Sequence, residues 1–105
     1  MDTPSKLKQK TEEIRDLLLS KNKNYGDSAL KPATIFSKQT PIEGLCSRID
    51  SCLSRVKNNL AGVNDPAMRG TIKDLAGYFI LLDIALDDNE EKINNGLLST
   101  EERIK

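Results

Sequence analysis

The most apolar stretch of the chain runs from Thr71 to Leu86, and the other helices are expected to pack around it. From Leu75 onward the residues are apolar on nearly every side of a helix, with Asp83 as the main interruption. A helix that is apolar all round is normally buried, whereas a membrane span needs about 20 apolar residues. The pattern therefore predicts the central helix of a small bundle, beginning between Ala67 and Thr71.

Two carboxylates of this helix are expected to have different surroundings. Asp74 shares one face with three other residues, namely Gly77, Tyr78 and Leu81. Asp83 follows nine residues later and points to the opposite side at about 100° per residue. Its apolar neighbours predict partial burial beside a cationic or hydrogen-bonding partner. The alternative is that Asp83 marks the one hydrated edge of the helix.

A first amphipathic helix is predicted near the start of the chain. Thr3 fits an N-cap and Pro4 the first helical position, and we expect the helix to run to about Lys21. Its inward stripe consists of Leu7, Thr11, Ile14, Leu17 and Leu18.

A second helix is predicted from Pro41, because Thr40 and Glu43 match a capping box. Apolar residues then recur at helical spacing, as Leu45, Ile49, Leu53, Val56 and Leu60. Gly62 and the segment Asn64–Pro66 should end this helix and open a turn.

The remaining segments read as connections. The segment Ala29–Gln39 is an irregular loop that Ile35 and Phe36 are expected to hold against the core. Asn94–Gly96 is a break, and Ser99–Glu102 resembles a second capping box that would open a short last helix. The chain is thus expected to be a single all-α domain covering residues 1–105.

Composition narrows the functional classes. The 105 residues carry a net charge of +0, only 4% aromatic residues and no Trp, which argues against a nucleic-acid partner. The absence of His removes imidazole nucleophile pairs and imidazole metal sites. Cys46 and Cys52 are six residues apart and face about 240° apart on one helix, so they cannot pair. Two free thiols and no signal peptide indicate the cytoplasm and no membrane partner, with both cysteines as small packing residues.

The charge is unevenly distributed along the chain. Residues 1–40 carry eight Lys or Arg and five Asp or Glu, and residues 83–105 carry three and seven, so the two segments sum to +3 and −4. A basic front and an acidic tail can attract one another within or between chains. Because Leu75–Leu86 offers more apolar surface than two helices of one chain readily cover, we expect a homo-oligomer, at least a dimer.

Polar side chains concentrate in the stretch Lys21–Ser28, where Asn and Gly favour the turn that ends a helix. A helix stop accounts for Gly26 and one Asn but not for the other donors. Lys21, Asn22 and Tyr25 would suit a phosphate and a sugar or base. The stretch is therefore either a plain helix stop or part of a ligand site.

A second set of donors follows on the next helix. Arg48, Cys52 and Arg55 lie together on a face beside the apolar stripe. Each Arg could form a forked contact with phosphate oxygens. The alternative is that both pair with acids of a neighbouring helix.

Three short motifs occur in a familiar order. They are Lys21-Asn22 with Tyr25-Gly26-Asp27-Ser28, Arg48-Ile49-Asp50 with Leu53-Ser54-Arg55, and Asp74-Leu75-Ala76-Gly77-Tyr78. Over roughly residues 10–86 the chain resembles MazG-like all-α nucleotide pyrophosphohydrolases of phages and bacteria, above all the small branch called nucleotide modification associated domain 1.

The resemblance implies an oligomeric helical bundle that holds Mg²⁺ with carboxylates and cuts a nucleoside triphosphate to a monophosphate and pyrophosphate. Such chemistry needs hard oxygen ligands and no His. Carried onto this sequence, the expected nucleotide contacts are Lys21, Asn22, Tyr25, Ser28, Arg48, Arg55 and Tyr78. The expected Mg²⁺ ligands are Asp50 and Asp74, with Glu43 as a further candidate.

Two positions depart from that pattern. An acid is expected four residues before Asp74, where this chain has Gly70, and a Lys is expected between Asp50 and Leu53, where it has Cys52. Losing a carboxylate should weaken Mg²⁺ binding, and losing a Lys removes a phosphate contact. The resemblance thus favours nucleotide binding with weak or no hydrolysis.

Other functions remain open at this point. One is an active Mg²⁺-dependent pyrophosphohydrolase, and another is a phage anti-defence protein that sequesters a nucleotide signal. A third is a helical interaction module without a ligand, which the basic front and acidic tail would suit.

Overall fold

The computed structural model describes residues 1–60 and 65–96, and in these residues the protein is all-α. Three helices follow one another, α1 (Thr3–Tyr25), α2 (Pro41–Asn58) and α3 (Pro66–Asn94). This confirms the predicted fold class. The predicted helix start at Ser99–Glu102 and the turn residues Gly62 and Asn64 lie outside the described residues. No helix among the described residues is long and apolar enough to cross a membrane.

The predicted start of α2 is confirmed. The Thr40 hydroxyl accepts a hydrogen bond from the Glu43 backbone N–H at 3.2 Å, and the Glu43 carboxylate accepts one from the Thr40 N–H at 3.1 Å. Pro41 takes the first helical position, where its missing N–H costs nothing.

The bounds of α1 and α3 differ from those expected. Asp2, not Thr3, is the N-cap of α1, and its carboxylate accepts from the Ser5 N–H at 3.0 Å. The helix passes Lys21 and continues to Tyr25, because the residue that stops it is Gly26, with a φ of 65°. Asp65 caps α3 one residue before Pro66.

The core lies between α2 and α3. The helices bury Ile42, Leu45, Ile49 and Cys52 from α2, and Met68, Thr71, Leu75, Gly77 and Ala85 from α3. The predicted α2 stripe is correct at Leu45, Ile49 and Val56, the last of which is half-buried and packs against the core. It is wrong at Leu53 and Leu60, which are 48% and 62% exposed, while Cys52 is fully buried. Cys52 and Leu53, three and four residues after Ile49, both lie near the helix face that carries Ile49. The packing of α2 on α3 buries Cys52 and leaves Leu53 exposed.

Cys52 therefore behaves as the expected packing residue, whereas Cys46 is exposed. The guanidinium of Arg55 donates a hydrogen bond to the Cys52 sulfur at 3.0 Å.

Helix α1 buries no residue completely. Of its predicted stripe, Leu7 and Thr11 are exposed, and the other three residues are half-buried. Helix α1 lies close to α3 at Gly77, where a Cβ atom would be 3.1 Å from Cδ2 of Leu18. The missing side chain of Gly77 thus lets α1 lie against α3.

The central helix α3 is not buried all round in a single chain, as the excess of apolar surface in Leu75–Leu86 led us to expect. Its face away from α2 exposes five apolar side chains, those of Ile72, Phe79, Ile80, Ile84 and Leu86. We call these five residues the outer apolar face. Asp83 is also exposed. The buried pair expected for it is therefore not formed among the described residues. In the single chain Asp83 instead marks a hydrated edge of α3, which was the alternative.

The loop prediction also needs correction. Residues 31–39 form no helix or strand, as expected, but Ile35 and Phe36 do not hold the segment to the core. Phe36 is 100% exposed and Ile35 73%. Ala29 and Leu30, at the beginning of the connection, pack against the core cluster of α2 and α3 instead.

Candidate functional site

A cleft of about 330 Å³ lies where the end of α1 and the following turn meet α3. We call it the first cleft. It is lined by Leu17, Leu18, Lys21, Asn22, Tyr25, Gly26, Asp27, Ser28, Ala29, Arg48, Lys73, Asp74, Gly77, Tyr78 and Leu81. Six of the expected nucleotide contacts are in this set, namely Lys21, Asn22, Tyr25, Ser28, Arg48 and Tyr78. Asp74, one of the two expected metal ligands, is there as well.

Helix α1 and its C-terminal turn form one wall of the first cleft. Lys21 and Tyr25 are one helical turn apart and so lie on the same side of α1. Gly26 then reverses the chain, and the Asp27 carbonyl accepts from the N–H groups of Leu30 and Lys31 at 3.1 and 2.8 Å. The Asn22 amide donates to the Asp27 carboxylate at 3.1 Å, which ties the turn to the helix that precedes it.

Helix α3 forms the opposite wall. Asp74, Gly77, Tyr78 and Leu81 all line the first cleft, as their spacing predicts. Tyr78 is half-buried and also packs against the core, whereas Tyr25 is 72% exposed. Two phenol rings, one fixed and one accessible, offer a base both a stacking surface and hydroxyl contacts.

The charges of the first cleft are only partly neutralised. Lys21 lies 3.4 Å from Asp74, and Lys73 lies 3.7 Å from Glu13. Arg48, reaching in from α2, forms no hydrogen bond or ion pair with any residue in the described part of the chain. A guanidinium is always charged and carries five donors in a fixed fork. An anionic ligand can therefore bind Arg48 without breaking an existing ion pair.

Two expected site residues lie elsewhere. Arg55 lines a separate small cleft near the start of α3, with Asp65 and Thr71 among its neighbours. Seven residues after Arg48 it occupies the same side of α2 but lies about 10 Å further along the axis, which separates the two arginines. Asp50 is exposed and does not line the first cleft, because it lies about 200° around α2 from Arg48.

The residues expected to hold Mg²⁺ are not brought together in one chain. Within residues 1–60 and 65–96, no group of three or more Asp, Glu or Cys side chains could hold a metal ion. Asp74 instead faces Lys21, and the Glu43 carboxylate serves the capping box of α2. Of the expected Mg²⁺ ligands, Asp74 is thus the one that lines the first cleft among the described residues.

Sequence reasoning missed several residues of the first cleft. Lys73 carries no motif of its own, and only the packing of α1 on α3 brings it to the site. Leu17 and Leu18 were expected in the core, and their inward position at helical spacing is the signal that could have placed them on this wall. Asp27 lay inside the polar stretch already singled out, but its role as the anchor of the turn depends on backbone geometry.

No known protein family, curated protein or solved structure matches this chain. The likeness to MazG-like proteins thus rests on the short motifs alone, and the function is argued from the cleft.

Proposed function

We propose that the protein binds a phosphorylated nucleotide in the first cleft and hydrolyses it slowly or not at all. The observation that carries this proposal is Arg48, an unpaired guanidinium at the edge of a cleft that also holds two tyrosines and several amide and hydroxyl donors. A volume of about 330 Å³ is at the lower end of the range for small-molecule sites.

The charges suggest how a nucleotide would lie. Its phosphate group would meet Arg48, with Lys21 on the α1 wall and Lys73 on the α3 wall adding positive potential. The base and sugar would then meet Tyr25, Tyr78 and Asn22. An incoming phosphate also competes with Asp74 for Lys21, whose pair at 3.4 Å is long and partly exposed.

Weak turnover is proposed because Gly70 stands where a second carboxylate would share a metal with Asp74, and Asp74 itself faces Lys21. Binding without turnover would suit a protein that stores or sequesters a nucleotide signal. The alternative, a Mg²⁺-dependent pyrophosphohydrolase, requires further carboxylates beside Asp74, from this chain or from a partner chain. An assay of released pyrophosphate with Mg²⁺ and the four ribonucleoside triphosphates separates the two, since brisk turnover would contradict the binding-only proposal.

The binding site itself is tested by a matched pair of arginine variants on one helix. A hydrogen-bonded charged contact contributes about 1.5–3 kcal/mol, so Arg48→Ala should weaken nucleotide affinity by roughly 10- to 100-fold. Arg55→Ala removes the same charge from α2 at the separate small cleft, and the affinity should stay at the wild-type value. Calorimetry with nucleoside mono-, di- and triphosphates measures both.

Equal losses in the two variants would mean that net charge, and not the first cleft, attracts the nucleotide. Absence of binding by the wild type would remove the proposal and favour the interaction module. Mass spectrometry of small molecules released from the denatured protein gives an independent identification of the ligand.

A further inference from the structure

A second cleft of about 340 Å³ adjoins the first, between the segment after α1 and the beginning of α2. It is lined by Ser28, Ala29, Pro32, Thr34, Ser37, Gln39, Thr40, Pro41, Gly44, Ser47, Arg48 and Ser51. Ser28, Ala29 and Arg48 line both clefts. The two spaces therefore meet along one edge, and Arg48 stands at their junction.

The chemistry of the second cleft differs from that of the first. Half of its twelve lining residues carry hydroxyl groups, and Arg48 is the one charged residue in the set. Its lining residues in the described part of the chain include no aromatic side chain, so they offer a base no stacking surface. A neutral, hydroxyl-rich surface with a cation at its edge matches a sugar that carries a phosphate.

The polar groups of the second cleft keep bonding capacity for such a ligand. The Gln39 amide donates to the Ser47 hydroxyl at 3.2 Å, and this leaves the Gln39 carbonyl oxygen and the Ser47 O–H available. The hydroxyls of Thr34 and Ser51 donate to backbone carbonyls at 2.8 and 3.1 Å, so their oxygens can still accept. Sugar hydroxyls both donate and accept, and this mixture of groups can satisfy them.

We infer that the ligand occupies both clefts and is a nucleoside diphosphate joined to a second sugar. The inference rests on the proposed nucleotide function of the first cleft and extends it. The nucleoside lies between Tyr25 and Tyr78, the diphosphate passes Arg48 at the junction, and the second sugar enters the hydroxyl-rich cleft. A ligand of this class would use the unpaired guanidinium from both sides, which a mononucleotide confined to the first cleft cannot.

Gly44 provides a test that leaves the first cleft intact, because it lines only the second. A Cβ atom at Gly44 would have its nearest neighbour at 3.8 Å, the Gln39 side-chain oxygen. An alanine therefore fits in ordinary contact, and a leucine extends into the space proposed for the sugar. Gly44→Leu is the blocking variant and Gly44→Ala its control.

The probes are ADP with ADP-glucose, and UDP with UDP-glucose, titrated by calorimetry into the full chain. A few added hydrogen bonds should make the wild type bind each sugar conjugate at least about tenfold more tightly than its diphosphate. Gly44→Leu should abolish that difference while ADP and UDP bind as before, and Gly44→Ala should preserve it. NAD⁺ tests whether the second sugar also carries a base, since tighter binding than ADP-glucose would identify a dinucleotide.

The outcomes separate the two proposals. If the wild type binds ADP and ADP-glucose equally, and Gly44→Leu changes neither, the two-cleft ligand is wrong while the nucleotide function stands. If neither diphosphates nor conjugates bind, both fail. Should Gly44→Leu lose the helical circular-dichroism signal of the wild type, Ser47→Tyr fills the second cleft from an exposed position of the same helix and is judged by the same affinities.

Discussion

Arg48 reaches the clefts because α2 has two different faces. Gly44, Ser47, Arg48 and Ser51 recur at steps of three, one and three residues on a face that adjoins Leu45 and its buried neighbours. The other three residues of this face are small, so the single long side chain reaches the junction unobstructed. A forked guanidinium and an ammonium at this position should therefore bind phosphate differently.

The planar fork of the Arg48 guanidinium can be tested separately from its charge. Arg48→Lys keeps the positive charge but loses the planar fork, so its nucleotide affinity should fall between those of the wild type and Arg48→Ala. Calorimetry at two salt concentrations measures the effect. An Arg48→Lys affinity equal to the wild-type value would show that charge alone is used.

Gly70 lies one helical turn before Asp74 on α3. A Cβ atom at Gly70 would meet nothing within 4 Å, so Gly70→Asp should place a carboxylate beside Asp74 without a steric cost. Mg²⁺ affinity should rise, because each carboxylate adds charge to a shared site. Gly70→Asn is the control, equal in size but uncharged. If both variants bind Mg²⁺ as weakly as the wild type, Asp74 does not face the added group.

The third residue prediction concerns the N-cap of α1. Bonds from the Ser5 side chain and backbone N–H lower the pKa of the Asp2 carboxyl from its ordinary value of 3.8. A lowered native pKa means that the cap stabilises the helix above pH 3.8, and that this contribution is lost as the pH falls through the lowered pKa. The NMR shift of the Ser5 amide should titrate below pH 3.8. In Asp2→Asn, which keeps an acceptor oxygen, that titration should vanish.

In the helices, features set by residues close in sequence could be predicted, but those set by how the helices pack could not. The capping box at Thr40 and Glu43 involves four consecutive residues, so the sequence defines it completely. The choice between Cys52 and Leu53 depends on how α2 is turned toward α3, and periodicity allows both. Phe36 was expected to hold its loop to the core, but whether a loop residue packs against the core depends on the path of the whole segment.

The candidate site divides in the same way. Residues Lys21–Ser28 are neighbours in sequence, so their common location followed from composition and turn signals. Arg48 and Arg55 share a side of α2, and the sequence alone could not say that the first cleft ends between them. Lys73 enters only through the contact of α1 with α3, which no local pattern encodes.

That contact gives a prediction for the helix pair. Gly77→Ala should raise the free energy of unfolding by up to about 1 kcal/mol through its higher helix propensity. The added methyl group, however, would lie 3.1 Å from Leu18. In a Leu18→Ala background the conflict disappears, so the same substitution should be more stabilising there by about 0.5–1 kcal/mol. Urea unfolding of the four proteins of this double-mutant cycle measures the difference. Strict additivity would mean that Leu18 moves away freely.

The assembled chain has a small core and leaves several large apolar side chains exposed. Phe79 and Ile80 in the outer apolar face are 52% and 45% exposed. The radius of gyration is 16.0 Å, against about 13 Å for a compact domain of this length. We propose that a second copy of the chain covers the outer apolar face, with the basic front of one copy near the acidic C-terminal part of α3 of the other.

Light scattering at micromolar concentration should therefore give a multiple of the 11.7 kDa chain mass. Phe79→Glu places a charge in the proposed interface and should reduce the mass to that of one chain. Phe36→Glu, at a fully exposed loop position, is the matched control and should leave the assembly intact. A wild-type mass near 11.7 kDa, or equal masses for both variants, would contradict the assembly.

Because the two cysteines differ in exposure, their alkylation can report the separation of α2 from α3. An alkylating reagent should modify exposed Cys46 at once, whereas Cys52, fully buried between α2 and α3, becomes accessible only when the pair opens. Mass spectrometry distinguishes molecules with one and two labels, so the first label reports reagent activity and the second reports opening. A nucleotide that binds only the closed pair must slow the second label by the factor 1 + [L]/Kd. Occupancy of the clefts could thus be followed in a cell extract, without a labelled ligand.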